Sequence, residues 1–174
     1  ASFTITTGAN QAFIDQNGNY TKFTGQFTDV TSNGRLIIKN GAGTAVGGKI
    51  ILDNVNNLYS GGTEVQAGAT LSIADPRSIG SGGLDLVGSS TVPAILETTA
   101  SMTISAPITV TGDPVFSVAP STTTTVSSPI TDGSSAGDVV VSGGGTLLLT
   151  AVNTYTGPTT VDSGSTLALG GVGS

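Results

Sequence analysis

Short apolar runs recur along the chain, each bounded by Gly, Pro, Asn or Asp. RLIIK (35–39), KIIL (49–52), TLSI (70–73), LDLV (84–87), AILE (94–97), MTISA (102–106), ITVT (108–111), VFSV (115–118), DVVV (138–141), TLLL (146–149), TTVD (159–162) and TLAL (166–169) are rich in β-branched residues. Runs of this length and composition predict β-strands. No i, i+3, i+4 apolar stripe persists for three turns, and Leu, Ala, Glu and Lys are thinly used, so no helix is expected.

The pattern also repeats over a longer distance. NLYSGGTEVQAGATLSI (57–73) and NTYTGPTTVDSGSTLAL (153–169) align without gaps, so that Asn57, Tyr59, Gly61, Thr63, Val65, Gly68, Thr70 and Leu71 meet the same residue types at Asn153, Tyr155, Gly157, Thr159, Val161, Gly164, Thr166 and Leu167. Upstream, FTDVTSNGRLIIKNG (27–41) pairs with ITDGSSAGDVVVSGG (130–144), and GKIILDNVN (48–56) with GTLLLTAVN (145–153), with a short insertion in the first copy. Internal repetition of this kind constrains the fold more than any single motif does. The duplicated block covers 27–73 and 130–169, with linking coils over 74–129, in a chain read as one unit from 1 to 174. It is too long for one rung of a repeat and is expected to hold two.

Many short strands suit a sandwich, a propeller or a solenoid. The first two need two-sided alternation and aromatic anchors, whereas this chain has no Trp and four of its five Phe lie at or before Phe27. A parallel β-helix stacks like on like, with interior columns of Val, Ile and Leu and outer ladders of Thr, Ser and Asn. We therefore expect an all-β parallel β-helix of about seven to nine coils, each of roughly twenty residues and stacked at about 4.8 Å. Leu147, Leu149, Val161 and Leu167, with counterparts Ile51, Val65 and Leu71, are expected in the interior. Which member of each alternating pair points inward stays open at this stage.

Composition narrows the setting. Charged residues make up 9% of the 174, and 37% are hydrophobic, enough for a core but with a surface wetted by hydroxyls and amides. Lys22, Arg35, Lys39, Lys49 and Arg77 all precede residue 78, where they balance Asp15, Asp29, Asp53, Glu64 and Asp75. Asp85, Glu97, Asp113, Asp132, Asp138 and Asp162 follow without a cation, so the net charge of −6 sits in the second part. Nucleic acid is a poor partner for such a chain. Without Cys or His there is no disulfide and no thiolate or imidazole metal site. No run of about 20 apolar residues exists to insert into a membrane as a helix. The opening ASFTITTGANQ does not have the form of a signal peptide, so that segment is expected to have been removed or the chain to be cut from a longer one.

Asn-x-Tyr-[Ser/Thr]-Gly-x-Thr-x-Val-x-x-Gly-x-x-Leu after a Gly-rich apolar strand, at 48–73 and 145–169, resembles the passenger-associated transport repeat of bacterial autotransporters. The resemblance extends over most of the chain from about Phe27. It implies a right-handed β-helical stalk, secreted through an outer-membrane barrel that these residues do not include and located on the bacterial surface. In that frame Gly61, Gly68, Gly157 and Gly164 are expected at corners that need positive φ or close backbone approach. Tyr59 and Tyr155 are expected to cap the core with ring inward and hydroxyl toward water, and Asn57 and Asn153 to bond turn backbone. Pro158 stands where the first copy has Gly62, so positive φ is impossible at that corner and need not occur in either copy.

Candidate chemistry is sparse. Ser-His-Asp catalysis needs a His, and no D-x-D pair occurs. The densest charged cluster, Asp75-Pro76-Arg77, reads as a corner. STTTTVSS (121–128) reads as a hydroxyl-rich strand face, NYT (19–21) as an incidental glycosylation match, and AGTAVGGK (42–49) as a loop without phosphate-loop spacing. No catalytic, cofactor or metal residues are assigned. The expected function is that of a non-enzymatic stalk segment, partnered by the rest of its passenger and its barrel, that supports translocation, folding and display. The alternative is an adhesive module whose Thr/Ser/Asn face binds a host glycan or a second copy, and a carbohydrate-active enzyme is the remote one.

Overall fold

The computed structural model describes residues 2–5, 11–30, 33–42 and 47–171. All twelve apolar runs are strands, and the single helical element among the described residues is a four-residue 3-10 turn, Pro76–Ile79. Part of the 42–49 loop and part of the N-terminal segment lie outside the described residues.

The strands wind into a β-solenoid of about seven turns with three faces. The first face is a six-stranded sheet of Gln11–Asp15, Arg35–Lys39, Thr63–Gln66, Leu84–Val87, Ile108–Gly112 and Ile130–Gly137. The second has seven strands, Tyr20–Phe23, Lys49–Leu52, Thr70–Ile73, Ile95–Thr98, Val115–Val118, Val139–Ser142 and Thr159–Val161. On the third, Met102–Ile104, Thr123–Val126, Thr146–Leu149 and Thr166–Leu169 form a four-stranded sheet, and below them lie the 3-10 turn, the 57–60 segment and the pair Gln26–Asp29 with Ser2–Ile5. All pairings are parallel, and each joins strands of successive coils. One turn ranges from twenty residues, Thr146 to its partner Thr166, to twenty-nine, Tyr20 to Lys49, so the twenty expected is the lower limit.

Register settles which residues face inward. On the second face Thr21, Ile50, Leu71, Leu96, Phe116, Val141 and Val161 form one column and Phe23, Leu52, Ile73, Thr98 and Val118 the next. Ile50 and Leu52 are buried, and the expected Ile51 is not, because alternation turns it to the outer side. Of the other expected interior residues, Val65, Leu71, Leu147 and Leu149 are buried. Val161 and Leu167 are not. Both occupy inward columns, yet Val161 is 43% exposed and Leu167 half-buried because no coil among the described residues lies over the last turn. Inside, the Thr98 and Thr124 hydroxyls share one hydrogen bond across the core at 2.6 Å, so each inward hydroxyl has a protein partner.

The duplicated halves correspond in their local contacts but not in their place on the solenoid. Lys49–Leu52 and Thr70–Ile73 of the first copy belong to the second face, whereas their counterparts Thr146–Leu149 and Thr166–Leu169 belong to the third. Between the copies run the 3-10 turn and six strands, Leu84–Val87, Ile95–Thr98, Met102–Ile104, Ile108–Gly112, Val115–Val118 and Thr123–Val126. Seven elements on a three-faced solenoid leave a remainder of one, so the second copy is rotated by one face. Duplication alone would place equivalent residues at equivalent corners of the solenoid, but the rotation puts them on different faces and they do not stack above one another.

Position along the axis governs what a deletion costs. Leu96→Ala, at the centre of a column with a coil on either side, is expected to cost about 2–5 kcal/mol. Leu167→Ala, at a position that the sequence places in the interior, loses less because its site is already part-solvated. Denaturant midpoints of the two variants measured side by side test this, and equal shifts would contradict the column model.

Candidate functional site

The repeat residues gather at one kind of corner, built twice from two consecutive coils. In the lower coil of the first copy, the Asp29 carboxylate accepts from Gly34 N at 3.0 Å, Ser60 N at 3.0 Å and Ser60 Oγ at 2.8 Å. In the second copy Asp132 accepts from Gly137 N at 2.9 Å, Thr156 N at 3.0 Å and Thr156 Oγ1 at 2.7 Å. Asn57 Oδ1 accepts from Phe27 N at 2.8 Å, and Asn153 Oδ1 from Ile130 N at 2.9 Å. A carboxylate from below and a carboxamide from above thus bind main-chain donors that the corner takes out of the strand ladders. Asp29 and Asp132 are absent from the repeat motif read from the sequence, although the upstream alignment of FTD with ITD already pairs them.

The glycines divide into two roles. Gly68 and Gly164 have φ of 81° and 84°, a conformation that side chains disfavour. Gly61 and Gly157 have no such φ and serve close approach. A Cβ on Gly157 would lie 2.5 Å from Gly137 O and against Asp138 Oδ1, and one on Gly61 would press on Asn33 O and lie 2.8 Å from the Gly34 carbonyl carbon. Gly62 does take positive φ, 86°, a value that the Pro158 ring forbids in the second copy, so the two corners differ in backbone conformation. The two corners still perform the same task, since Gly62 O accepts from Leu36 N and Pro158 O from Val139 N, both at 3.0 Å.

The tyrosines also depart from expectation. Tyr59 is wholly buried, its hydroxyl 2.6 Å from Thr63 Oγ1, which donates onward to Ile79 O at 3.0 Å. The ring meets Phe27 edge-on at 6.5 Å between centroids. Burial pushes the Tyr59 phenol well above its ordinary pKa. Its hydroxyl therefore faces a partner rather than water, because the following coil closes over it. Tyr155 makes the same bond to Thr159 Oγ1 at 2.7 Å but is half-buried. Val65 and Leu71 lie in the core, and Thr63 is buried whereas its counterpart Thr159 is exposed.

Charges hold neighbouring coils together. Arg35 pairs with Glu64 at 2.6 Å and with Asp85, whose other oxygen accepts from Thr109, so one chain of outward side chains on the first face ties four successive coils. Lys49 grips Glu97 at 2.6 Å and 2.8 Å, Lys22 meets Asp53 at 2.7 Å and Lys39 meets Asp15 at 3.4 Å. The partners thus include Asp85 and Glu97, and Asp29, counted among the balancing acids in the sequence, serves a corner instead. In the Asp75-Pro76-Arg77 cluster Asp75 caps the 3-10 turn, accepting from Arg77 N at 2.9 Å and from the guanidinium at 2.8–2.9 Å. No group of three or more Asp, Glu, His or Cys placed to hold a metal occurs among the described residues. In STTTTVSS, Thr124 points inward and Thr123 and Thr125 outward.

The corner carboxylates make stability depend on acid. The Ser60 hydroxyl holds the Asp29 carboxyl below its ordinary pKa with help from Gly34 and Ser60 amides, and the Thr156 hydroxyl does the same for Asp132 with Gly137 and Thr156 amides. A depressed folded-state pKa contributes stability that is present above the unfolded value and lost as pH falls through the folded one. Asp138, raised by burial and by Asp113 beside it, acts in the opposite sense. We expect Tm to fall below about pH 4 and the fall to be shallower in Asp29→Asn/Asp132→Asn. Thermal melts of both proteins between neutral and strongly acid pH check this, and parallel curves would contradict it.

Comparison with known proteins bears on the same residues. The model of the Passenger-associated-transport-repeat matches residues 47–73 and 139–169, which contain the Asn, Tyr, Gly and Thr of both corners. Neither the curated proteins nor the solved structures compared with the chain contain a match. The chain therefore carries two passenger-associated transport repeats, consistent with an autotransporter passenger domain.

Proposed function

We propose that this segment is a non-enzymatic stalk of a secreted autotransporter passenger, which supports outer-membrane translocation, folding outside the cell and surface display. The observation that carries the reading is the corner made twice from two coils, Asp29 with Asn57 and Ser60, and Asp132 with Asn153 and Thr156. Each corner forms only when a second coil meets the first, so folding proceeds by accretion. A chain emerging through a barrel in the outer membrane would gain free energy with every coil added outside, which opposes its return. Few charges and no disulfides suit passage in an extended state. The partners in this reading are the rest of the passenger and its C-terminal barrel, and the location is the outer surface of a Gram-negative cell.

A second reading has one observation in its favour. Ser101, Thr103, Thr123, Thr125, Thr146 and Thr166 stand outward on the third face, in register and with no ionisable side chain among them. Such a surface suits an uncharged partner, either a host glycan or a second copy, and glycan-array binding would raise this reading above the first.

Gly157→Val in the full-length protein tests the stalk. The added side chain meets Gly137 O and separates the coils at the second corner. Surface labelling through an upstream tag, divided by total expression, is expected to fall, with binding per displayed molecule unchanged. Normal display with lost adhesion would favour the adhesin.

A further inference from the structure

The two copies of the repeat differ in what lies on top of them, and the first copy shows what completes the second. Over the first corner runs the segment Ser78–Ser81. Asn57 Nδ2 donates to Ser78 O at 2.6 Å, Thr63 Oγ1 donates to Ile79 O at 3.0 Å, and Ser81 N donates to Tyr59 O at 3.1 Å. Gly80 lies against Tyr59, where a Cβ would come within 2.5 Å of its carbonyl oxygen and 2.8 Å of ring Cε2. With this cover Tyr59 and Thr63 are wholly buried and Asn57 nearly so.

The second corner has the same groups and no such cover among the described residues. Asn153 Nδ2 turns back to Ala151 O at 3.2 Å, the Thr159 hydroxyl bonds Tyr155 alone, and Tyr155 is half-buried. Beside them the inward columns end in the open. Leu149 is 2% exposed and Leu169 above it 58%. Val141 is fully buried and Val161 above it 43% exposed. Leu149, Asn153, Tyr155, Thr159, Leu167 and Leu169 line a concavity of about 470 Å³ at this end. Its floor is apolar and its rim carries one carboxamide and two hydroxyls, the arrangement found buried at the first corner.

We infer that this face is a coil-acceptor site, and that its occupant is a further parallel β-coil continuing the solenoid. That coil enters through a short turn equivalent to Ser78–Ser81. It presents two successive backbone carbonyls to Asn153 and Thr159, an amide to Tyr155 O, and a glycine to the Tyr155 ring. The strands Thr159–Val161 and Thr166–Leu169 offer their free edges to its strands, and Val161, Leu167 and Leu169 receive its inward side chains. The argument is continuity with an interface the molecule already makes once. It does not depend on the stalk reading, since an adhesin built on this solenoid would need the same coil.

The test inserts into the chain, between Leu169 and Gly170, the cover that the first copy uses. Residues 74–104 are repeated directly after Leu169, which places the copy of the Ala74 turn where Ile73 is followed by it in the first repeat. Hydroxyl-radical footprinting read by mass spectrometry then reports side-chain access at each tyrosine and leucine. In the present chain Tyr155 and Leu169 are expected to be labelled far more than Tyr59. In the extended chain their labelling should drop to the Tyr59 level, the melting midpoint should rise, and Gly→Val at the repeated Gly80 should reverse both. Leu169→Ser separates docking from general stability. It should leave the midpoint of the present chain nearly unchanged, because the side chain is exposed, and abolish the rise that the added coil brings. Continued labelling of Tyr155 in an extended chain, whether its added coil folds elsewhere or stays protease-sensitive, would overturn the inference. So would concentration-dependent protection of Leu169 in the present chain, which would assign the face to a second copy. Loss of surface display with these outcomes unchanged would count against the stalk function alone.

Discussion

A coil of a parallel solenoid can bury its inner face and pair its strand edges only against another coil. Every other feature of this molecule follows from that requirement. The columns Ile50–Leu71–Leu96–Phe116–Val141 and Leu147–Leu167 are built by stacking like on like, so a side chain is fully buried where it has counterparts both above and below. Burial is a property of neighbours rather than of residues. Val141 and Val161, in one column and of one residue type, have opposite environments because one has two neighbours and the other has one.

Strands stack by hydrogen bonding, but the chain must also turn between faces, and at each turn main-chain donors leave the ladder. The repeat solves this with side chains that reach across coils. Asp29 and Asp132 each take two amides and a hydroxyl, and Asn57 and Asn153 each take an amide from the coil below. The paired glycines Gly61 and Gly157 allow the coils to come close enough for those bonds to form. The same construction on two different faces shows that the unit is self-contained, with its geometry set by its own two coils rather than by its place on the solenoid.

Charge follows the same logic. All five cations pair with acids, and Arg35 with Glu64 and Asp85, and Lys49 with Glu97, link coils rather than turns of one coil. These pairs are partly shielded and add to cohesion along the axis, while the remaining acids serve corners or face solvent. Where two meet, as at Asp113 and Asp138, burial and mutual repulsion raise the pKa of Asp138.

Much of this architecture is legible in the amino-acid order. The twelve apolar runs are strands, and the aligned phrases mark the corners, because strand propensity, turn chemistry and duplication are local properties written in consecutive residues. Polar strands such as Gln11–Asp15, Gln26–Asp29 and Thr63–Gln66 carry too weak an apolar signal to be recognised in that way. The inward choice between Ile50 and Ile51, the burial of the Tyr59 hydroxyl, the partial exposure of Leu167 and the rotation of one copy against the other are not local. Each depends on how many residues separate a strand from the one that stacks on it and on whether a further coil covers it, and only the assembled solenoid brings those distant residues into contact.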